Sequence, residues 1–146
     1  MEPKRITADD LTEVQKELIG REPIFHRPEL GTTRDIFEEM TAEDFWETGA
    51  SGRRYSRDFV IDTVVKRYIH GYKDDWRVKD FYCQLLAPDH YLLTYTLYQG
   101  NRVTRRATLW RFSSNHWVAL YHQGTIIENP AENTSDSAIN AQEPHE

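Results

Sequence analysis

Residues 91–127 read YLLTYTLYQGNRVTRRATLWRFSSNHWVALYHQGTII, three strand-like runs broken at Gly100-Asn101 and at Ser113-Ser114-Asn115. Gly-Asn is a favoured two-residue hairpin turn, so Gln99 is set against Arg102. Counting back pairs Leu97 with Thr104, Tyr95 with Arg106 and Leu93 with Thr108. If the second reversal is a three-residue loop, Phe112 faces His116, Trp110 faces Val118, Thr108 faces Leu120 and Arg106 faces His122. Because side chains alternate along a strand, Tyr95, Arg106 and His122 then form one row, on the face shared by Leu93, Leu97, Trp110, Val118 and Leu120. A two-residue turn at the same place would slip the last strand by one and send His122 to the other face.

Working outward, Trp76 to Ala87 has the strand period and Pro88-Asp89 turns the chain, which completes a four-stranded antiparallel meander. Upstream the period is helical. Thr7 is placed to cap a first helix with Asp9 and Asp10 in its first turn and Leu11, Val14, Leu18 and Ile19 on its apolar face, before Pro23 interrupts. Thr32 or Thr33 opens a short second helix carrying Ile36, Phe37 and Met40 and ending near Ala42. Glu43 to Thr48 alternates as a strand, and Gly49, Ser51 and Gly52 turn the chain towards Arg53–Tyr55. Ser56 caps a third helix with a wide stripe of Val60, Ile61, Val64, Val65, Tyr68 and Ile69, which Gly71 is placed to end. Helices preceding a strongly curved antiparallel sheet make an α+β domain over residues 1–127, with helices on one sheet face. From Glu128 the chain turns to Asn, Glu, Ser, Pro and Ala, the composition of a disordered tail over 128–146.

The bounds agree with one independent domain: 146 residues suffice for a hydrophobic core. A formal net charge of -6 argues against a general nucleic-acid or anionic-membrane surface. The charged start Met1-Glu2-Pro3-Lys4-Arg5 has no apolar signal region and no run approaches transmembrane length, so the expected location is cytoplasmic. The lone Cys83 lies in a strand-like run, where a small hydrophobe is the ordinary role. The six histidines include no close helical pair and no recurring ligand spacing with Cys or carboxylates, so neither a metal site nor a cofactor is expected. Gly49-Ala50-Ser51-Gly52 lacks the spacing and parallel setting of a nucleophile elbow and reads as a turn.

The order helix, helix, short strand, helix, four long strands resembles the nuclear transport factor 2-like superfamily, in particular its SnoaL-like group and uncharacterised bacterial relatives. The resemblance runs over residues 8–127 and is carried by Glu22-Pro23-Ile24-Phe25-His26, by Asp44-Phe45-Trp46-Glu47-Thr48-Gly49-Ala50-Ser51-Gly52-Arg53, by Arg106-Ala107-Thr108-Leu109-Trp110-Arg111 and by Trp117 to Thr125. It implies a cone-shaped sheet with a pocket between its concave face and the helices, commonly in a homodimer formed through the sheets. Members include ketosteroid isomerases, dehydratases, polyketide cyclases, binding proteins and assembly modules, so the fold does not by itself name a function. No catalytic motif of the isomerases maps onto this chain.

Site candidates therefore rest on chemistry. Arg106 is a fixed cation suited to a ligand carboxylate or phosphate, and Tyr95 and His122 can exchange protons. Trp110 and Trp46 could form walls, Glu47 and Asp44 could serve as acids or bases, and His26 with Phe25 could close the pocket mouth. Alternation conflicts with an inward Glu47 and an inward Trp46 together, unless a bulge intervenes. A purely structural account competes: Arg106 paired with a carboxylate such as Glu47, and Tyr95 and His122 completing its network. Two functions of different class follow. In one, a small, partly aromatic or acidic metabolite is bound, with isomerase, dehydratase or cyclase-type proton transfer. In the other, a non-catalytic homodimer presents Tyr98, Leu109, Trp117 and Tyr121, on the other sheet face, to a protein.

Overall fold

The structure is a computed structural model, and it describes residues 1–71, 73 and 75–128. Six strands, β1 (Thr41–Thr48), β2 (Arg54–Ser56), β3 (Trp76–Ala87), β4 (His90–Gln99), β5 (Arg102–Ser113) and β6 (His116–Ile126), form one curved sheet in the order β2-β1-β6-β5-β4-β3. The β3-to-β6 meander is antiparallel throughout, whereas β1 joins β6 in parallel. The expected tail lies outside the described residues apart from Glu128. No helix among the described residues is long and apolar enough to cross a membrane.

The β4–β5 register is the one the Gly-Asn turn predicts, with Gln99 opposite Arg102 and Tyr95 opposite Arg106. Gly100 takes φ +59°, the left-handed conformation that such a turn requires and that glycine adopts without a Cβ penalty. The β5–β6 register differs from expectation. Ser114 and Asn115 both take positive φ and make a two-residue turn that sets Ser113 against His116. Alone, that turn would have faced His122 away. Between Trp110, opposite Ala119, and Leu109, opposite Tyr121, β6 has one additional residue, Leu120. This bulge restores the parity, so His122 shares the face of Arg106 but stands opposite Thr108, and Gly124 stands opposite Arg106. A second bulge, between Lys79 and Tyr82 with Asp80 at φ +64°, bends β3 around the core.

The helices α1 (Thr12–Ile19), α2 (Arg34–Glu39) and α3 (Arg57–Ile69) cover one face of the sheet. Leu18 of α1, Phe37 of α2 and Val60, Ile61 and Val64 of α3 close a single core over Leu93, Leu97, Trp110 and Ala119. The α3 cap is as expected, the Ser56 hydroxyl accepting from Phe59 N at 3.2 Å, and Gly71 at φ +73° follows its end. Arg57 ties α3 to the sheet, donating to Glu38 O and to Thr41 Oγ1.

Thr7 does not cap α1. A 3-10 turn at Asp9–Leu11 comes first, and the Thr7 hydroxyl instead accepts from Cys83 N of the edge strand β3 at 3.0 Å. An edge strand's free amide competes successfully for that oxygen. The second helix stops at Glu39, because Thr41 is already in β1 beside Ala119. Trp117, expected on the outer face with Tyr98, Leu109 and Tyr121, is in the core. The two-residue turn reverses its parity, it packs on Tyr91 and Phe112, and its indole donates to Glu17 Oε1 of α1 at 2.8 Å. The same change removes Val118 from the core face, which Ala119 takes instead.

Candidate functional site

A cavity of about 370 Å³ lies between the concave sheet face and α3. Its sheet side is Glu47 from β1, Leu97 from β4, Arg106 from β5 and His122 from β6. The opposite side is Val60, Thr63, Val64 and Arg67 of α3, with Phe59 at 53% exposure and Tyr55 stacked on it at 5.0 Å between ring centroids. Residues 23–26 close a third side. The size is that of a pocket for a small organic molecule, and the lining is mostly apolar with a few polar groups, three of them on the sheet side.

Period two delivers those polar groups. On β1 Phe45 enters the core, so Glu47, two residues on, faces the same way, and it is paired in register with His122. Trp46 between them faces out, 44% exposed, its ring 4.6 Å from Tyr121. The β1–β6 pairing is irregular between Thr41 and Trp46 but regular from Trp46 to Thr48, and burial alternates over Phe45, Trp46 and Glu47, so Trp46 is not a wall of this cavity. Asp44 is likewise exposed. His26 is brought in by the bend after the cis peptide Glu22-Pro23: Phe25 takes φ +72°, packs edge-on against Phe37 and Phe45, and has its carbonyl held by Tyr68 OH at 2.8 Å. With Phe25 anchored in the core, His26 reaches the cavity wall.

Arg106, only 4% exposed, is oriented by its own strand. Its Nε donates to Thr104 Oγ1 at 2.8 Å, and Nη1 stands 3.4 Å from His122 Nε2. On the other side of the imidazole, Nδ1 is 2.7 Å from Thr108 Oγ1. Burial lowers the His122 pKa well below its ordinary value, and the positive Arg106 and neighbouring His26 push in the same direction, so the ring is neutral at physiological pH.

Tyr95 and Trp110 share the face of Arg106 but not the cavity. They converge on Glu22, a residue for which the sequence implies no role. Tyr95 OH donates to Glu22 Oε1 at 2.6 Å, Trp110 Nε1 donates to Oε2 at 3.0 Å, and Ile24 N donates to Oε1 at 2.9 Å. Thr108 donates a further hydrogen bond to the same carboxylate. Full burial raises the Glu22 pKa, and the four hydrogen bonds pull against that rise. Thr108 therefore touches both Glu22 and His122. Its position in the inward row Thr104, Arg106, Thr108, Trp110 was a usable signal, since hydroxyls repeated on a core face need polar partners. Among the described residues no three His, Cys, Asp or Glu side chains are grouped to hold a metal ion.

No protein-family model and no curated protein sequence matches the chain. Solved structures do. An uncharacterised protein with a cystatin-like fold from Caulobacter vibrioides superposes with a TM-score of 0.64 at 16% identity, over 86% of this chain and 96% of that one. A candidate ketosteroid isomerase from Parabacteroides distasonis gives 0.61 at 14% identity, over 88% and 99%. A nuclear transport factor 2-like protein of unknown function in nutrient uptake from Rhodospirillum rubrum gives 0.59 at 14% identity, over 82% and 100%. The helices packed into an open, curved six-stranded sheet are thus the α+β cone expected from the sequence, and the chain has the nuclear transport factor 2-like fold.

Proposed function

We propose that the cavity binds a small metabolite, partly aromatic or acid-bearing, and that isomerase, dehydratase or cyclase-type proton transfer takes place there. The observation that carries this reading is the convergence of Glu47, Arg106, His122 and His26 on the lining of a mostly apolar cavity, to which α3 adds Thr63 and Arg67. Arg106 offers a planar cation to an acid group, and Glu47 offers an acceptor to a hydroxyl or N–H elsewhere on the same ligand. The neutral His122 supplies a lone pair for a proton. The candidate ketosteroid isomerase among the structural neighbours is consistent with such chemistry without identifying the substrate.

The test is a thermal-shift and calorimetric comparison of benzoate and 2-naphthoate with their primary amides, on the wild type and on Arg106→Gln. Ligand at a hundred times its Kd stabilises by about 2.7 kcal/mol, so even weak binders register at millimolar concentration. The acids should outrank the amides on the wild type, and Arg106→Gln should erase that preference. Equal responses in both proteins would remove Arg106 as the anchor.

A further inference from the structure

We propose that Tyr55 and Phe59 form an aromatic platform at the mouth of the cavity, and that the ligand is an arylalkanoic acid whose ring stacks there while its carboxylate reaches Arg106. The inference rests on reading Arg106 as the anchor of an acid group, and adds where the other end of the molecule lies and which residue selects it.

Strand register brings Tyr55 into the site. Glu47 of β1 is paired with His122 of β6 on one side and with Tyr55 of β2 on the other, so the three side chains form one inward row across neighbouring strands. The row is polar at β6 and β1 and becomes aromatic at β2, the outermost strand on that side of the sheet. Gly49 fixes the ring: an ideal Cβ there would stand 3.0 Å from Tyr55 Cε2, so the ring packs closely on bare backbone. On the helix side, Phe59 in the first turn of α3 stacks on Tyr55, parallel to within 11° at 5.0 Å between centroids.

Phe59 is out of character for its helix. Asp58, Asp62 and Lys66 give α3 a charged, exposed face, whereas Phe59, Thr63 and Arg67 follow at spacings of four along the border of the cavity. Phe59 lines that cavity with 53% of its surface still open, and Tyr55 accounts for the packing of one ring face. The charged neighbours interrupt the apolar surface on the outer side of the helix, which disfavours a protein partner and leaves the mouth as the place where this ring is to be covered.

The separation of the two ends sets the ligand class. Arg106 is 4% exposed on β5, three strand spacings from β2. Those spacings put the two backbones about 14 Å apart, and both side chains reach inward to narrow the gap. A carboxylate attached directly to a ring engages one end or the other. A short methylene spacer lets one molecule engage both, along a cavity that Leu97 and Val64 also line. The polarity agrees, since the planar guanidinium is in the buried interior and the ring platform is at the wet end, where stacking removes apolar surface from water.

Calorimetry on the full chain compares 3-phenylpropanoate with 3-cyclohexylpropanoate, and likewise their primary amides. The saturated ring is at least as apolar but has no π face, so transfer from water alone does not favour the phenyl probe. On the wild type the phenyl compound should bind about two- to tenfold more tightly, the amount that stacking contributes. Phe59→Leu should erase that preference and Phe59→Tyr should keep it, with cooperative urea unfolding in both because Phe59 is exposed. NMR of the wild type should show Overhauser contacts between the phenyl protons of the probe and the Phe59 ring. Equal affinity for flat and saturated rings in the wild type, or a preference that survives in Phe59→Leu, overturns the platform. Amides that bind as well as their acids while keeping the phenyl preference would refute the Arg106 anchor and leave the platform standing; acids preferred whatever their ring would do the reverse. Binding of none of the four at millimolar concentration would refute both.

Discussion

Gly124→Ala probes the setting of Arg106 without touching its charge. Gly124 is the cross-strand partner of Arg106, so a methyl group there would extend from the same face as the guanidinium. An ideal Cβ would stand 3.0 Å from Arg106 Cζ and 3.1 Å from both Nε and Nη1, several tenths of an ångström inside ordinary contact. Arg106 has little freedom to yield, because Nε is bonded to Thr104 and the side chain is buried. Overpacking of this kind costs about 1–3 kcal/mol, offset by about 0.4–1 kcal/mol from the stiffer unfolded chain. Gly20→Ala supplies the comparison: Gly20 is in the right-handed helical region at φ -68°, and its added Cβ would meet Glu17 O at an ordinary 3.4 Å. Urea unfolding should therefore find Gly20→Ala neutral to slightly stabilising and Gly124→Ala destabilised by about 1–2 kcal/mol. The acid-over-amide preference should fall with it. In a double-mutant cycle, Arg106→Met should remove most of the Gly124→Ala penalty. Equal stabilities for the two glycine variants, or an undiminished penalty in the Arg106→Met background, would refute the close packing of guanidinium on β6.

Glu22→Ala leaves the buried donors of Trp110, Tyr95 and Ile24 without their acceptor and should cost about 3–5 kcal/mol in urea unfolding; a loss under about 1 kcal/mol would deny the carboxylate its central place. His122 titrates in the folded protein below the 6.5 of the free side chain, so its contribution is complete above pH 6.5 and is lost as the pH falls towards the folded value. That limb should have a slope of up to about 1.4 kcal/mol per pH unit, and His122→Gln should flatten it. An unchanged acid limb in the variant would mean that another group controls it. Ser56→Ala should cost about 1 kcal/mol through loss of the α3 cap, while leaving the ligand response intact. A loss of ligand response there would show that the cavity wall depends on the helix start.

The parts of the fold legible in the sequence were those fixed by local chemistry. The Gly100-Asn101 turn determined the β4–β5 pairing residue by residue, and Ser56 and Gly71 bounded α3, because each signal acts within a few positions of its effect. The β5–β6 register was not legible in the same way. Ser113-Ser114-Asn115 is compatible with turns of either length, and the bulge at Leu120 has no marker such as a glycine. His122 was nevertheless on the expected face, because the shorter turn and the extra residue each change parity by one and cancel there. Residues 117–119, which lie between the turn and the bulge, see only the first change, and their facing is reversed. The parallel pairing of β1 with β6 was also out of reach, since it joins segments more than seventy residues apart through no shared turn.

That register also divides the inward polar row into two systems. Opposite Arg106, His122 would have belonged wholly to the cavity; opposite Thr108, it has the guanidinium at Nε2 and the threonine hydroxyl at Nδ1. Tyr95 and Trp110 belong to Glu22, Arg106 and Glu47 to the cavity, and Thr108 is the atom-level link between them. A structural network and a ligand site therefore need not be alternatives in this fold. Glu22 is held deep in the core by its donors, and Thr108, bonded to that carboxyl and 2.7 Å from His122 Nδ1, sets the ring that lines the cavity.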